Sequence, residues 1–388
     1  MANLVRRNVC SRREFLIGSA TAVSLSLTNR STQSEGKDTQ KRLYKKTLGQ
    51  FFTEESCWLR PQVVEFIKNS CCKIAYDPFA GTGCLFDPVT NSIPSISKCV
   101  GLDIDAKLGW PVNDSLVEIP SEDNAIIITN PPYISNYSAS RKKIGDTLKK
   151  YFDMTDYDDV YLLALDKMLA AQRYVVAIIP ETFINSSYRQ KELLHSLTIL
   201  EENPFNDTDT PVVVACFDSI KKSFDRIKIY KDSRYECTLG EVESCRLVPD
   251  GSVKFKFNDS DGWLGVRCVD ATNPNFRLKF DFKNNIDYDW EKGIKVSSRL
   301  FTLISIDVEA EERQMFIDEC NAMLEEIRTK SHDIILSPFK GNMKNGSRRR
   351  RLDFQTCRAI IEQAYKKVVR KTMQPECSVS RILIKEAV

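Results

Sequence analysis

The 388-residue chain has few of the residues that build metal sites and histidine-based catalytic sites. It contains only two histidines, His195 and His332, and its 13 cysteines form no Cys-x-x-Cys pair. A zinc site and a histidine-based catalytic triad are therefore not predicted. Because an odd number of cysteines cannot all pair, we expect free, mostly buried thiols in a reducing compartment.

The chain also lacks a strong net charge and a long apolar run. Its formal net charge is +3, so a nucleic-acid-binding surface would have to come from local clusters of Lys and Arg. No segment is apolar enough to span a membrane. Residues 1–46 are basic and contain a twin-arginine-like stretch at Arg12 and Arg13. An export leader, a phosphate-binding arm and an adventitious extension all remain open for this segment, which we expect to be poorly ordered.

Strand-like and helix-like segments alternate along the first half of the chain. Residues 73–76, 98–103, 125–129 and 174–179 have strand character, and residues 157–171 have helical spacing. Leu193, Leu194 and Leu197 predict a further helix. This alternation predicts an α/β fold with a doubly wound, mostly parallel sheet, in which ligands bind at the carboxyl ends of the strands. From about residue 221 the short alternating runs and two helical patterns, at 310–330 and 354–371, predict a second, α+β domain.

Polar residues and glycines follow the predicted strands. Asp77 precedes a turn with Gly81 and Gly83, which permit positive φ and the close approach of a ligand. A carboxylate beside such a turn suits a positively charged ammonium group, and no Lys-Ser/Thr follows to make a phosphate loop. Asp103 has the spacing of a residue that holds ribose hydroxyls, and Asp114 suits an amine donor. Taken singly, each motif also fits an ordinary turn or strand end.

The motif Asn130-Pro131-Pro132-Tyr133 directly follows the apolar run 125–129. Two prolines remove two backbone donors, so the chain must leave the sheet stiffly at this point. The Asn130 carbonyl and a proline carbonyl suit the two N–H groups of an exocyclic amine, and the Tyr133 ring suits stacking on a base. Accepting both protons leaves the nitrogen lone pair available for attack. The alternative is a proline-rich turn.

In order and spacing, these motifs resemble those of the S-adenosylmethionine-dependent DNA adenine-N6 methyltransferases of restriction–modification systems, in the gamma arrangement. The resemblance covers about residues 49–217. It implies a Rossmann-like catalytic domain over 47–220, a DNA target-recognition domain over 221–388, and S-adenosylmethionine as cofactor. The implied cofactor-binding residues are Thr53, Asp77, Gly81, Gly83, Asp103, Ile104 and Asp114. The implied catalytic residues are Asn130, Pro131, Pro132 and Tyr133, with Tyr133 and, as a looser match, Phe205 stacking on a flipped adenine.

A basic run in the second half predicts contact with nucleic acid. Glycines, amides and six basic side chains in one predicted loop suit DNA phosphates; a solvated loop is the alternative. The six are Lys340, Lys344, Arg348, Arg349, Arg350 and Arg351. Double-stranded DNA is the predicted partner, and a cognate restriction endonuclease acting on the same site is a candidate second partner. We expect a cytoplasmic protein, since DNA and the cofactor both lie inside the cell.

Two other functions remain open. A protein glutamine-N5 methyltransferase shares the Asn-Pro-Pro-Tyr motif, although the N-terminal Phe-Phe-Thr element and the large second half favour DNA. A catalytically silent DNA-binding specificity protein would keep the fold without methyl transfer, although the intact acids and glycines argue against it. A cytosine-N4 methyltransferase is disfavoured, because those enzymes more often carry Ser in place of Asn130.

Overall fold

The computed structural model describes residues 55–141, 145–205, 209–294 and 300–372. The predicted cofactor residue Thr53 and the basic segment 1–46 lie outside these ranges. The described chain forms two compact units. The first runs to Ser244 and includes Pro338–Gly341, and the second comprises Cys245–Ser337 and the residues from Asn342. The first unit thus extends beyond the expected boundary at 220, because two further strands join its sheet.

An eight-stranded sheet organises the first unit. Its strands are β1 (Ile74–Asp77), β2 (Lys98–Gly101), β3 (Ala125–Thr129), β4 (Val175–Pro180), β5 (Leu194–Ile199), β6 (Val212–Phe217), β7 (Lys228–Lys231) and β8 (Arg234–Thr238). The order is β2-β1-β3-β4-β6-β5-β7-β8. The first four strands are parallel, whereas β6 runs antiparallel to β4 and β5, and β8 to β7. The predicted α/β fold is confirmed, with the parallel part at one side of a mixed sheet.

Six α-helices belong to the described part of the first unit. They are α1 (Pro61–Asn69), α2 (Phe86–Ser92), α3 (Asn136–Arg141), α4 (Gly145–Phe152), α5 (Val160–Ala171) and α6 (Leu239–Ser244). Helix α1 starts at a proline, whose fixed φ suits a first helical position. Its buried residues Val63, Phe66 and Ile67 join a core cluster with side chains from β3 and β4.

Strands β3 and β4 are buried at every position, as a parallel strand covered on both faces must be. The prediction of a helix around Leu193, Leu194 and Leu197 is wrong. Leu194 begins strand β5, and Leu197 pairs with Ala215 of β6. A short apolar run does not distinguish a buried strand from a buried helix, and here pairing with β6 and β7 decides.

The second unit combines an antiparallel sheet with two long helices. Strands β9 (Phe255–Phe257), β10 (Leu264–Arg267), β11 (Lys279–Phe282) and β12 (Phe301–Ile306) have the order β11-β10-β12-β9. The helices are α7 (Arg313–Lys330) and α8 (Phe354–Thr372), close to the predicted ranges. The predicted α+β character is confirmed. A further strand of this unit is β14 (Arg348–Arg351), and β13 (Ser337–Asn342) contains the segment Pro338–Gly341 that belongs to the first unit. In the described residues, no helix has the length and apolar character needed to cross a membrane.

Candidate functional site

The carboxylate of Asp77 lies buried at the end of β1, where only 1% of the residue is exposed. Its Oδ1 accepts a hydrogen bond from the backbone N–H of Phe79 at 3.0 Å and another from the Thr129 hydroxyl. Thr129 is the last residue of β3 and precedes Asn130. This contact places the predicted cofactor loop and the predicted catalytic motif at the same edge of the sheet.

Asp103 closes the glycine turn that follows β1. Its Oδ2 accepts from the N–H of Gly81 at 2.8 Å, and its Oδ1 accepts from the N–H of Asp105 at 2.9 Å. Gly81 and Gly83 both have positive φ, +54° and +78°, as predicted for this turn. Half-buried Ile104 follows Asp103 directly.

Trp110 is a residue of this edge that sequence reasoning missed. Its indole N–H donates to the Gly81 carbonyl at 2.8 Å. A Cβ added to Gly83 would lie 3.0 Å from the indole ring, and one added to Gly101 only 2.7 Å from it. The glycines at 83 and 101 therefore make room for Trp110. The sequence offers no periodic signal for this contact, which joins residues 29 positions apart.

Asp114 lies beside Asp103, because Val112 bridges to Asp103 and the N–H of Asn113 donates to the Asp103 carbonyl at 3.0 Å. One carboxylate oxygen of Asp114, Oδ2, accepts from Lys150 Nζ and from the Tyr151 hydroxyl, both at 2.9 Å. The other, Oδ1, is buried and has no hydrogen-bond partner among the described residues. Asp114 therefore offers one buried acceptor at the strand edge, as an amine-binding carboxylate must.

Both partners of Asp114 belong to helix α4 and were not predicted. The hydrogen bond to Asp114 raises the pKa of Lys150. Burial raises the pKa of Tyr151 to about 12. Lys150 stays charged and the Tyr151 hydroxyl stays protonated through neutral pH, so both act as donors to Asp114.

The Asn-Pro-Pro-Tyr motif leaves β3 with its first three residues buried and Tyr133 half-buried. Asn130 is 1% exposed. The Tyr133 hydroxyl lies within hydrogen-bonding distance of Asn130 Oδ1 and 2.6 Å from the Ile178 carbonyl of β4. The Asn130 oxygen predicted to accept a substrate amine is therefore engaged by Tyr133 in this conformation.

Aromatic rings surround Tyr133. Phe205 lies with its ring centroid 6.2 Å away at 65°, and Tyr161 of α5 at 6.4 Å and 83°, both edge-on. The structure thus brings Phe205 next to Tyr133, although Phe205 is only 5% exposed and belongs to the core cluster. Tyr161 was not singled out from the sequence, because its helical spacing is that of a core residue.

Asp159 lies next to the loop that follows this motif. It forms an isolated antiparallel bridge with Ser135, and the N–H of Val160 donates to the Ile134 carbonyl at 3.0 Å. Burial, reinforced by the charge of Asp158, raises the pKa of the Asp159 carboxyl to about 6. This carboxyl therefore titrates closer to neutrality than an ordinary aspartate.

The prediction of one basic loop spanning Lys340 to Arg351 is wrong. Arg348–Arg351 form strand β14, and Arg350 is 1% exposed. The N–H of Arg350 donates to Asp270 Oδ2 at 3.1 Å, and its guanidinium donates to the Leu336 carbonyl at 3.3 Å. Arg349 Nε donates to the Asp270 carbonyl at 2.8 Å. Arg350 is therefore a core residue of the second unit and is not placed to contact DNA phosphates.

The other basic residues differ in exposure. Lys340 and Lys344 are exposed, whereas Arg348, Arg349 and Arg351 are half-buried. Asp270, which anchors β14, is itself buried and accepts from both terminal nitrogens of Arg328 at 3.1 and 3.2 Å. A local charge count cannot reveal this partner, because Asp270 lies 80 positions from Arg350.

Within the described ranges, no group of three or more His, Cys, Asp or Glu side chains is arranged to hold a metal ion.

Residues 116–208 match the family described as Eco57I restriction-modification methylase. This segment is about a quarter of the chain and contains Asn130, Tyr133 and Phe205. The resemblance to restriction–modification methylases seen in the sequence is confirmed over this segment. Asp77, Asp103 and Asp114 lie before it. No curated protein matches the chain.

Three solved structures are similar at low identity. One is described as a class I S-adenosylmethionine-dependent methyltransferase of Listeria monocytogenes, with 13% identity over 46% of this chain and 65% of that chain and a TM-score of 0.34. A type I restriction enzyme modification subunit of Vibrio vulnificus has 18% identity over 52% of this chain and 53% of that chain, with a TM-score of 0.34. A type I restriction-modification methyltransferase subunit of Streptococcus thermophilus has 15% identity over 55% of this chain and 58% of that chain, with a TM-score of 0.35. The chain thus spans less than two thirds of the length of each of these three proteins.

Proposed function

We propose that this chain is a DNA methyltransferase that transfers a methyl group from S-adenosylmethionine to the N6 amine of adenine. The hydrogen bond between Thr129 and Asp77 carries the proposal, because it joins the Asn-Pro-Pro-Tyr motif to the acidic, glycine-containing edge of the sheet. The match of residues 116–208 to a restriction-modification methylase family supports it.

The residues at the strand edge fit the proposed cofactor. Buried Asp77 supplies negative charge for an ammonium group, and the turn at Gly81 and Gly83 lets a ligand approach the backbone. Asp103 suits ribose hydroxyls, and the unpartnered Oδ1 of Asp114 suits the exocyclic amine of an adenine. When bound, S-adenosylmethionine supplies an electrophilic methyl group on a sulfonium.

The Asn-Pro-Pro-Tyr residues would orient the target amine. Asn130 Oδ1 and the Pro131 carbonyl accept its two N–H bonds, which directs the nitrogen lone pair away from the clamp and stabilises the positive charge that develops on nitrogen. Tyr133 releases Asn130 Oδ1 and places its ring on the base. No covalent intermediate with the protein is required.

The target adenine must leave the duplex before its amine can reach this clamp. Unstacking costs a few kcal/mol, and stacking on an aromatic ring returns about 1–3 kcal/mol. Tyr133, with Phe205 beside it, supplies that ring. The second unit, with exposed Lys344, is our candidate for the DNA-recognition domain. A cognate restriction endonuclease acting on the same site remains a prediction.

The test is incubation of the full chain with methyl-labelled S-adenosylmethionine, separately with unmethylated genomic DNA and with a protein extract. Digestion of the DNA to nucleosides and mass spectrometry then identify the modified base. We expect N6-methyladenine in a defined sequence context. Label on N4 of cytosine, label on protein glutamine alone, or no transfer with either substrate would contradict the proposal, and each points to a different alternative.

A further inference from the structure

The two carboxylate oxygens of Asp114 differ in their hydrogen bonds. Lys150 Nζ and the Tyr151 hydroxyl both donate to Oδ2 at 2.9 Å. Lys150 Nζ also lies 4.5 Å from the centroid of the Tyr151 ring, so the three side chains contact one another. Oδ1 receives no hydrogen bond from the described protein, although it is buried. The carboxylate is therefore fixed by one oxygen and open at the other.

A buried acceptor without a donor has a cost of about 1–3 kcal/mol, because it has lost its hydrogen bonds to water. A ligand N–H that reaches Asp114 Oδ1 removes this cost, whereas a ligand without a donor at that place does not. The site therefore favours a ligand that places a donor at Oδ1, and under the proposed function this donor is the exocyclic amine of the cofactor's adenine. Lys150 and Tyr151 both donate to Oδ2, so Oδ1 is the oxygen that is left to accept from a ligand.

We infer that Lys150 and Tyr151 are positioning residues for the purine ring of the methyl donor. They hold Asp114 Oδ2, so that Oδ1 accepts a hydrogen bond from the exocyclic amine of the purine. This inference rests on the proposed function. It adds helix α4 (Gly145–Phe152) to the cofactor site. Helix α4 lies between the Asn-Pro-Pro-Tyr motif and α5 in the chain. Its contacts with Asp114 join this segment to the proposed purine acceptor.

Local features of the helix support a positioning role. Tyr151 is fully buried and its ring is held in the core, whereas Lys150 is 57% exposed in its side chain and reaches Asp114 from the surface. Lys149 precedes Lys150 and is also exposed, but the contact to Asp114 is made by Lys150. Lys149 therefore provides a matched control with the same charge on the same helix.

The experiment measures the binding of two ligands by calorimetry. One is S-adenosylhomocysteine, and the other is its analogue with hydrogen in place of the exocyclic amine. We expect the wild-type chain to prefer the amine-bearing ligand by about 10-fold to 30-fold, as one hydrogen bond to a charged group implies. Asp114→Ala, which removes the acceptor, should bring this ratio close to one.

The two positioning variants are Tyr151→Phe and Lys150→Met, with Lys149→Met as the control. We expect both positioning variants to lower the ratio of the two affinities at least about 3-fold, and Lys149→Met to leave it unchanged. A purely structural role would weaken both ligands equally and keep the ratio constant. Tyr151→Phe removes only one hydroxyl, and Lys150→Met changes an exposed position, so each variant covers for the other if one does not fold.

The outcomes separate the inference from the proposed function. Failure of the wild-type chain to bind S-adenosylhomocysteine would overturn the proposed function and the inference with it. Normal binding with an unchanged ratio in Tyr151→Phe and Lys150→Met would overturn the inference alone. A ratio that falls equally in Lys149→Met would also overturn it, because the effect would then come from the charge of the helix.

Discussion

Thr129 Oγ1 donates a hydrogen bond to Asp77 Oδ1, across the carboxyl ends of strands β3 and β1. Both residues are essentially inaccessible to solvent, at 0% and 1% exposure. Asn130 follows Thr129 directly, and the glycine turn follows Asp77. The two loops that we assign to the target amine and to the methyl donor are therefore fixed to one another by a buried hydrogen bond.

Replacing Thr129 tests this connection. Thr129→Val keeps the shape of the side chain but removes the donor, so Asp77 stays buried with one hydrogen bond fewer. We expect the free energy of unfolding to fall by about 1–3 kcal/mol in urea titrations, and the rate of methyl transfer to fall with it. Thr129→Ser keeps the hydroxyl and should lose less of both. Equal behaviour of the Val and Ser variants would show that the hydrogen bond has no such role.

Tyr133 combines a ring with a hydroxyl, and the two should contribute differently. Tyr133→Phe keeps the ring and frees Asn130 Oδ1 from its present partner, so we expect methyl transfer within about 5-fold of the wild-type rate. Tyr133→Ala loses the stacking surface and should bind DNA more weakly by about 1–3 kcal/mol. Steady-state rates and DNA affinity at fixed salt measure both. A Phe variant as defective as the Ala variant would assign the main role to the hydroxyl.

Asp159 predicts a pH dependence of stability. Its pKa is raised to about 6 in the folded chain, against an ordinary value of 3.8. Between about pH 4 and pH 6 the folded state binds more protons than the unfolded state, so Asp159 lowers stability as the pH rises through this window. Below the window both states are protonated and the effect vanishes.

The variant Asp159→Asn stays neutral and should escape this loss. We expect it to be more stable than the wild type by about 1–3 kcal/mol above pH 7, and equal to it near pH 3.5 when measured by urea unfolding. Asp153→Asn, at an exposed position of the same region, is the control. A difference between wild type and Asp159→Asn that does not change with pH would contradict the prediction.

The basic residues of the second unit should separate into two classes. Lys344 is exposed, so Lys344→Ala should weaken DNA binding and reduce the slope of log affinity against log salt concentration by about 1. The melting temperature should stay unchanged. Arg350 is buried, so Arg350→Ala should lower the free energy of unfolding by at least about 2 kcal/mol. Salt-dependent binding and thermal unfolding measure these effects. The reverse pattern would restore the arginine run as the phosphate-binding element.

The parallel part of the first sheet could be predicted from the sequence, because each of its strands is recognisable as a short run of residues without knowledge of its partners. Strands such as β3 are continuous apolar runs, and parallel neighbours bring Asp77 and Asn130 to one edge. The antiparallel side was harder to predict, because the run at 194–199 becomes a strand only by pairing with β6 and β7. Long-range partners were also invisible, as for Lys150 and Asp114, which lie 36 positions apart, and for Arg350 and Asp270.

The most direct test of the central claim is the paired measurement of methyl transfer and cofactor binding in Asn130→Ala. We expect the transfer rate to fall by about 10²–10³ or more, while the dissociation constant for S-adenosylhomocysteine stays within about 2-fold. Asn91→Ala, at an exposed position of α2, is the control and should change neither quantity. Methyl transfer by Asn130→Ala at the wild-type rate would contradict the account.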